Sequence, residues 1–239
     1  MMNLDDVLAE FVESRPIPIY GVADPQGFAH ALPGWHPKEL MSKCESVIVI
    51  GHPFFEHPLY IEDRTHIADN SWWDANRIVY NQVKSWRREL LTLLDELGWG
   101  VASFGTFRPV IPPTMSYRLA QAEAGIGVYG RSGFCINPDH GAYYYVKVLL
   151  TEAKLTPTDR TRLEGFDPCQ GCSECSQVCP VKAIDASKEP GAGYDRELCM
   201  RFILKMSERS GIGAKTCGRC YRACPWSMGR VGKEQQPVL

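Results

Sequence analysis

Long apolar runs are missing from this sequence. No stretch reaches the roughly 20 residues that a membrane-spanning helix needs, which argues against an integral membrane protein and gives no reason to expect a membrane partner. A surplus of charge is missing too: 26 Lys+Arg against 28 Asp+Glu leave a formal charge of -2. That excludes a chain gripping nucleic acid through bulk positive charge, while leaving room for a local basic patch. The segment Met1 to Asp6 is acidic and carries neither a secretory nor a twin-arginine pattern, so the chain reads as cytoplasmic. Cysteine is almost absent from the first 168 residues, where only Cys44 and Cys135 occur. What is present is a soluble composition, 44% hydrophobic and 23% charged, in 239 residues. That is enough chain for one large domain or two small ones with a buried core.

Residues 1–160 read as a mixed α/β region and residues 161–239 as a small cysteine module. Leu4, Leu8 and the residues from Val7 to Val12 suggest a short amphipathic helix stopped by Pro16 and Pro18. Residues 17–22 and the β-branched run 47–51 suggest strands. Residues 52–73 are rich in His, Pro and aromatics and suggest a long loop. The clearest helix is Arg77 to Leu97, where Ile78, Val79, Val83, Trp86, Leu90, Leu93, Leu94 and Leu97 keep helical spacing before a capping Gly98. A strand at 101–104 and a helix at 118–124 follow. Phe134 to Ile136 and Tyr143 to Leu150 suggest paired strands around an Asn137 to Gly141 turn. Residues 151–168, polar and with Pro157 and Pro168, read as a linker.

The remaining eight cysteines carry the chemistry. Cys169, Cys172, Cys175 and Cys179 followed by Pro180 form C-x2-C-x2-C-x3-C-P, the bacterial ferredoxin run. Three thiolates two residues apart wrap corners of one cubane, and the fourth, one turn on, points to a second cluster. Cys217, Cys220 and Cys224 before Pro225 repeat the ending without the first cysteine, which Cys199 supplies from upstream. The crossed pattern assigns Cys169, Cys172, Cys175 and Cys224 to one [4Fe–4S] cluster and Cys179, Cys199, Cys217 and Cys220 to the other. Two zinc sites are the rival reading. Zinc knuckles show CxxC pairs with a longer spacer, so the spacing favours cubanes. A two-cluster module joined to a larger α/β region implies an electron acceptor in the same chain. The residues alone leave that acceptor unnamed.

Three stretches carry a family resemblance: Leu32 to Gly34 leading into Ser46 to Ile50, Ala122 to Gly133 with its continuation through Gly141 and Leu149 to Thr151, and the cysteine module ending Cys224-Pro225-Trp226-Ser227. With these the chain resembles the epoxyqueuosine reductases and, more distantly, the cobalamin-dependent reductive dehalogenases. The resemblance implies an α+β protein: a nitroreductase-like α/β sandwich followed by a ferredoxin-like module with two [4Fe–4S] clusters. It implies a base-off cobalamin between the two, reduced through the clusters and acting on a small electrophile, an epoxide-bearing nucleoside or an organohalide. Gly125, Gly127, Gly130, Arg131 and Gly141 are then the candidate cofactor contacts, glycines because backbone must approach a flat macrocycle. No D-x-H-x-x-G motif of the histidine-on type is present.

The chain departs from the resemblance in two ways. Where epoxyqueuosine reductases carry a catalytic aspartate eight residues before the first glycine of the Ala-Gly-Ile-Gly stretch, this sequence has Tyr117. Reductive dehalogenases use a tyrosine as proton donor, so Tyr117 is the candidate acid; the bland alternative is a tyrosine packed at a helix start. The helical-repeat domain that helps epoxyqueuosine reductases hold tRNA is not in this sequence, which together with the mild negative charge speaks against a tRNA substrate. Lys205, Arg209, Lys215, Arg219, Arg222, Arg230 and Lys233 form a candidate basic face, read either as compensation for anionic clusters or as docking for a ferredoxin- or flavodoxin-type donor. Two other readings stay open: a non-catalytic iron–sulfur electron carrier that reduces a partner protein, and a flavin in place of cobalamin.

The other conspicuous residues have ordinary readings beside the functional one. His52, His57 and His66 share a loop with Phe54, Phe55, Trp72 and Trp73, either a pocket wall or a packed aromatic loop. Tyr143, Tyr144 and Tyr145 alternate faces on a strand, so they cannot all serve one site. Arg131 suits a phosphate or carboxylate. Cys44 and Cys135 read as small buried residues, and Trp226 as a shield over a cluster.

Overall fold

The computed structural model describes residues 3–54, 70–104, 115–210 and 217–227. The chain forms two compact units. One comprises Met1–Pro53, Val79–Gly127 and Tyr144–Glu164; the other comprises Phe54–Ile78, Val128–Tyr143 and Gly165–Leu239. The described strands are β1 (Ile19–Ala23), β2 (Ser46–Pro53), β3 (Val101–Ser103), β4 (Val128–Tyr129), β5 (Cys135–Ile136) and β6 (Tyr144–Thr151). The described helices are α1 (Leu4–Ser14), α2 (Pro37–Leu40), α3 (Asn70–Glu96), α4 (Tyr117–Glu123), α5 (Glu174–Gln177), α6 (Arg196–Ser210) and α7 (Arg219–Ala223). Among the described residues no helix is long and apolar enough to cross a membrane.

The first unit is built on an antiparallel sheet in the order β1-β2-β6-β3. Its two central strands are mostly apolar and buried on both faces, with Lys147 of β6 the charged exception. On one face Val47, Val49, Val146, Val148 and Leu150 pack with Phe28 and with Ala120, Ala124 and Ile126 from α4 and the turn behind it. Helix α3 covers the other face: Tyr80 meets Tyr145 at 4.4 Å between ring centres, and Trp86 meets His52 at 6.0 Å. The buried stripe of α3 is Val79, Val83, Trp86, Leu90 and Leu94, at spacings of three and four. Each fully buried side chain of this kind contributes about 1.5–3 kcal/mol. Helix α1 starts on Asn3, whose side chain accepts the Asp5 N–H at 3.3 Å, and buries Leu8 and Phe11.

Several details differ from the sequence expectations. Helix α3 begins at Asn70, inside the expected loop, and Ile78 and Leu97 are 67% and 47% exposed and belong to no stripe. Phe134 to Ile136 and the Tyr143 strand do not pair with each other: β5 pairs with β4, and β6 lies between β2 and β3. The Asn137–Gly141 bridge closes the intervening loop on itself, and the apolar alternation of β6 on both faces demands a central place in the larger sheet. The segment expected as a linker is tied to the first unit. Thr158 exchanges two hydrogen bonds with Val22 of β1, its N–H to Val22 O at 2.9 Å and its Oγ1 from Val22 N–H at 2.8 Å. Thr156 and Leu155 bond to Asp5 and Ser46. The otherwise unpaired edge of β1 supplies the donors and acceptors that make this worthwhile.

The second unit holds the β4–β5 pair, helices α5 to α7, and tight turns between them. Its apolar groups are small. Cys175, Cys179, Ala183 and Ile184 form one, and Ile136, Ala142 and Cys169 form another with Phe134, Phe166, Tyr221 and Trp226 packed against it.

Candidate functional site

The cysteine geometry begins with turns. Asp167 accepts the Cys169 N–H at 3.0 Å, Cys172 N–H closes a turn onto Cys169 O at 3.1 Å, and Gly171 takes the positive φ of 66° that this turn requires. Cys175 lies in the single turn of α5, and Cys179 follows it. Ala183 N–H donates to Cys179 Sγ at 3.2 Å, and Arg131 N–H donates to Cys169 Sγ at 3.4 Å. Cys199 stands on α6, Cys220 on α7, and Cys224 directly behind α7.

These thiols gather in two overlapping groups, with Cys175 common to both. Burial, then the charges of Cys169, Cys175 and Cys172, push the Cys224 thiol up to about 11. Burial, then Cys199 and Cys217 and lastly Cys175, push Cys220 up to about 12. Cys179 shares its apolar cluster with Cys175, and Cys199 and Cys220 pack on that cluster. Among the described residues no three His, Cys, Asp or Glu side chains converge on a point for one ion. Thiols gathered closely enough to help push Cys220 and Cys224 up call for cationic charge spread among them. That donor chemistry fits iron–sulfur clusters, and N–H···S bonds of the kind made by Ala183 and Arg131 are a recognised influence on cluster potential. Cys44 belongs to neither set: it is buried in the first unit, donates to Ser46 O at 3.4 Å, and burial lifts its thiol to about 11. Cys135 is buried on β5.

Arg131 is engaged with the second unit's own backbone. Its Nη1 donates to Ala186 O and Lys188 O, both at 2.6 Å, and its Nε to Cys169 O at 3.4 Å. The side chain thus ties the first cysteine turn to the loop after Ala183. The candidate glycines also have local reasons. Gly125 (φ 69°) terminates α4, with Ile126 N–H returning to Gln121 O at 2.9 Å. A Cβ on Gly130 would stand 2.6 Å from Ile136 Cδ1. Gly141 (φ 69°) closes the Asn137 loop, and Gly127 is buried. Gly125 and Gly127 lie in the first unit; Gly130, Arg131 and Gly141 lie in the second. Gly125, Gly130 and Gly141 thus each have a reason within the fold.

Tyr117 opens α4 behind the Ser116 cap and is 9% exposed. Its hydroxyl donates to Phe104 O, just past the end of β3. Burial pushes the phenol up to about 12, so it keeps its proton across the neutral range. A residue the sequence reading missed stands beside it. Lys147 on β6 is only 7% exposed, with Nζ 5.9 Å from the centre of the Tyr117 ring and 5.3 Å from that of Tyr145. Burial, then the like charges of Arg87 and Lys84, bring Lys147 down to about 8. Arg87 Nε is buried without a hydrogen-bond partner. Among the described residues β3 pairs with β6 along Leu149–Thr151, and Lys147 lies two residues before that stretch on β6. A buried phenol next to a cation is a group that can release a proton and have the resulting phenolate stabilised.

Alternation sends Tyr144 and Tyr145 of β6 to opposite faces, and Tyr143 precedes the strand. Tyr143 meets Phe54 and Tyr221 in the second unit, Tyr144 donates to Gln121 Oε1 at 2.7 Å, and Tyr145 meets Tyr80 and Lys147. His52 Nδ1 is hydrogen-bonded to Pro53 O at 2.6 Å. Trp226 stacks edge-on to Phe166 at 5.1 Å, in the cluster that includes Cys169 and Cys224. His57, His66, Phe55, Lys215, Arg230 and Lys233 lie outside the described residues, as do the side chains of Trp72, Trp73 and Arg209.

No family model matches the chain. The epoxyqueuosine reductase of Synechococcus sp. (strain CC9605) is 24% identical over 214 residues, 85% of this chain and 62% of that protein. The solved epoxyqueuosine reductase of Bacillus subtilis, captured with its catalytic aspartate loop swung out of the active site, superposes with a TM-score of 0.62 at 19% identity. The match covers 95% of this chain and 67% of that one. The chain is similar to epoxyqueuosine reductases and to reductive dehalogenases. On the dehalogenase side, a solved enzyme whose structure suggests a mechanism for B12-dependent dehalogenation superposes at a TM-score of 0.62 and 19% identity, covering 91% of this chain and 31% of that one. These likenesses establish the mixed α/β fold. Its curated relatives are oxidoreductases, and the chain spans 62% of the Synechococcus relative.

Proposed function

We propose that the chain is a cytoplasmic reductase that carries two [4Fe–4S] clusters and a base-off cobalamin and reduces a small electrophile of the epoxide-bearing nucleoside or organohalide class. On this reading it combines a nitroreductase-like sandwich with a ferredoxin-like module. The observation that carries the reading is that thiols from two distant sequence segments come together: Cys169, Cys172 and Cys175 act on Cys224, Cys199 and Cys217 act on Cys220, and Cys179 shares an apolar cluster with Cys199 and Cys220. Cys169, Cys172, Cys175 and Cys224 would hold one cluster, and Cys179, Cys199, Cys217 and Cys220 the other. When bound, the clusters supply single electrons and cobalamin supplies a strongly nucleophilic or reducing cobalt. Replacing a carbon–halogen bond by carbon–hydrogen consumes two electrons and one proton and releases halide; converting an epoxide to an alkene consumes two electrons and two protons and releases water. Tyr117, buried, holds one proton, enough for the dehalogenation or for one of the two the epoxide step takes, the second coming from solvent; Lys147 and Arg87 offset the charge left when it departs. The similarity to both enzyme families supports the cofactor assignment.

The test is anaerobic purification and titration with cobalamin, with iron, sulfide and cobalt assayed beside the visible spectrum. About eight iron atoms per chain and one base-off cobalamin are the expected result. Full iron without cobalamin binding would replace this reading with an electron carrier or a flavin enzyme. Zinc in place of iron would overturn it.

A further inference from the structure

A groove of about 600 Å³ lies in the second unit beside Cys179. Val178, Pro180 and Ala223 give it an apolar floor, Cys179 stands in its wall, and Lys182, Arg219 and Arg222 give it a cationic rim. No carboxylate is among its described lining residues. Pro180, Lys182 and Arg219 are exposed, so the rim faces solvent. Lys182 is also the one non-glycine residue among those described with positive φ, 53°. The backbone accepts that conformation in the same turn that brings the Ala183 N–H onto Cys179 Sγ. Arg222 folds back toward the start of α7, where its Nη1 would stand 3.0 Å from a Cβ on Gly218.

We propose that this groove is the docking surface for a small acidic one-electron carrier protein of the flavodoxin or ferredoxin class. The inference rests on the cluster reading above. The carrier loses one electron and the cluster held by Cys179 and its set gains it; no bond forms and no proton moves. Exposed Lys182 and Arg219 beside an apolar floor complement an acidic carrier, and steering by such charge raises the encounter rate. Electron-transfer contacts are small, and a groove of this size with one ligand cysteine in its wall meets that need. The route from surface to thiol is short, because exposed Pro180 is bonded directly to Cys179.

The experiment measures the affinity of the cluster-loaded protein for an acidic flavodoxin by calorimetry at low and high ionic strength. It compares wild type with the double variant Lys182→Asn, Arg219→Gln. Asparagine tolerates positive φ, so the turn keeps its shape. Lys188→Gln, on another exposed loop, is the control. The double variant is expected to bind about tenfold more weakly at low salt, with the difference vanishing at high salt. Reduction by a cationic viologen is expected to be as fast as in wild type. Iron at about eight per chain in every protein shows that the clusters are in place, so a failure of the cluster reading declares itself separately. Unchanged affinity in the double variant, or an equal loss in Lys188→Gln, would overturn the docking assignment.

Discussion

Lys147 holds its Nζ 5.9 Å from the centre of the Tyr117 ring, packed so that the lysine is only 7% exposed. The pairing divides the labour. A phenol pushed up to about 12 stays protonated through pH 10, whereas a lysine brought down to about 8 loses its charge in the working range. Turnover is therefore expected to fall above pH 8 because the cation is lost. Tyr117→Phe is expected to lower turnover by about 10²-fold or more with iron content unchanged. A rate–pH profile beside an iron assay checks both points, and full activity in the phenylalanine variant would return Tyr117 to a packing role.

Lys147 also leaves a mark on stability. Its folded pKa lies below its unfolded value of 10.5, so between pH 8 and 10.5 the unfolded chain binds the extra proton and stability rises with pH. Below pH 8 the penalty for the buried charge is fully present, of the order of 3 kcal/mol for a shift of this size. Lys147→Met should therefore unfold at a higher temperature than wild type at pH 7, and the gap should close as pH approaches 10.5. Melting curves across that range supply the measurement, and a parallel offset at every pH would contradict the account.

Arg131 ties Cys169, Ala186 and Lys188 together through backbone carbonyls. Arg131→Ala leaves those carbonyls without their donor and should cost about 2–3 kcal/mol. Arg131→Lys should rescue little, since one ammonium cannot reproduce the planar fork. The readout is iron retained during slow buffer exchange, with faster loss expected in both variants.

Crossed ligation makes an unequal prediction for cysteines. Cys224→Ser should disturb the cluster of the distant first segment, and Cys179→Ser the cluster completed by Cys199, Cys217 and Cys220. Cys44→Ser and Cys135→Ala should both keep about eight iron atoms per chain. Paramagnetic resonance of the reduced proteins distinguishes the two clusters, and loss of the same signal in Cys224→Ser and Cys179→Ser would contradict the crossing.

The elements that follow from local chemistry were legible in the sequence. Periodicity marked the body of α3, and Gly98 at φ 83° ends that helix as its position implied. The β-branched run marked β2. Pairing was less legible: β5 takes β4 as its partner because loop closure at Asn137 competes with the hairpin, and no local pattern ranks those two. The tether of Thr156 and Thr158 was hidden because polar residues with prolines look alike in a linker and in a segment bonded to an open strand edge. Lys147 was the chief omission at the site. Strand alternation puts it on the same face as Tyr145, but only the arrival of α3 and α4 from elsewhere in the sequence buries it.

Strand β6 stands in the middle of its sheet yet is the last of the four strands in the chain. During translation β1 and β2 can already meet, but β3 waits without a partner, and the inner edge of β2 waits with it. Until Tyr144–Thr151 leaves the ribosome, apolar surface from Val47 to Ile50 has no permanent cover. The nascent chain thus passes through a stage in which chaperone capture and misassociation compete with completion of the sheet. Slowing synthesis just ahead of β6 would lengthen that stage, while slowing it just afterwards would spare the sheet and give the cysteine turns time to form.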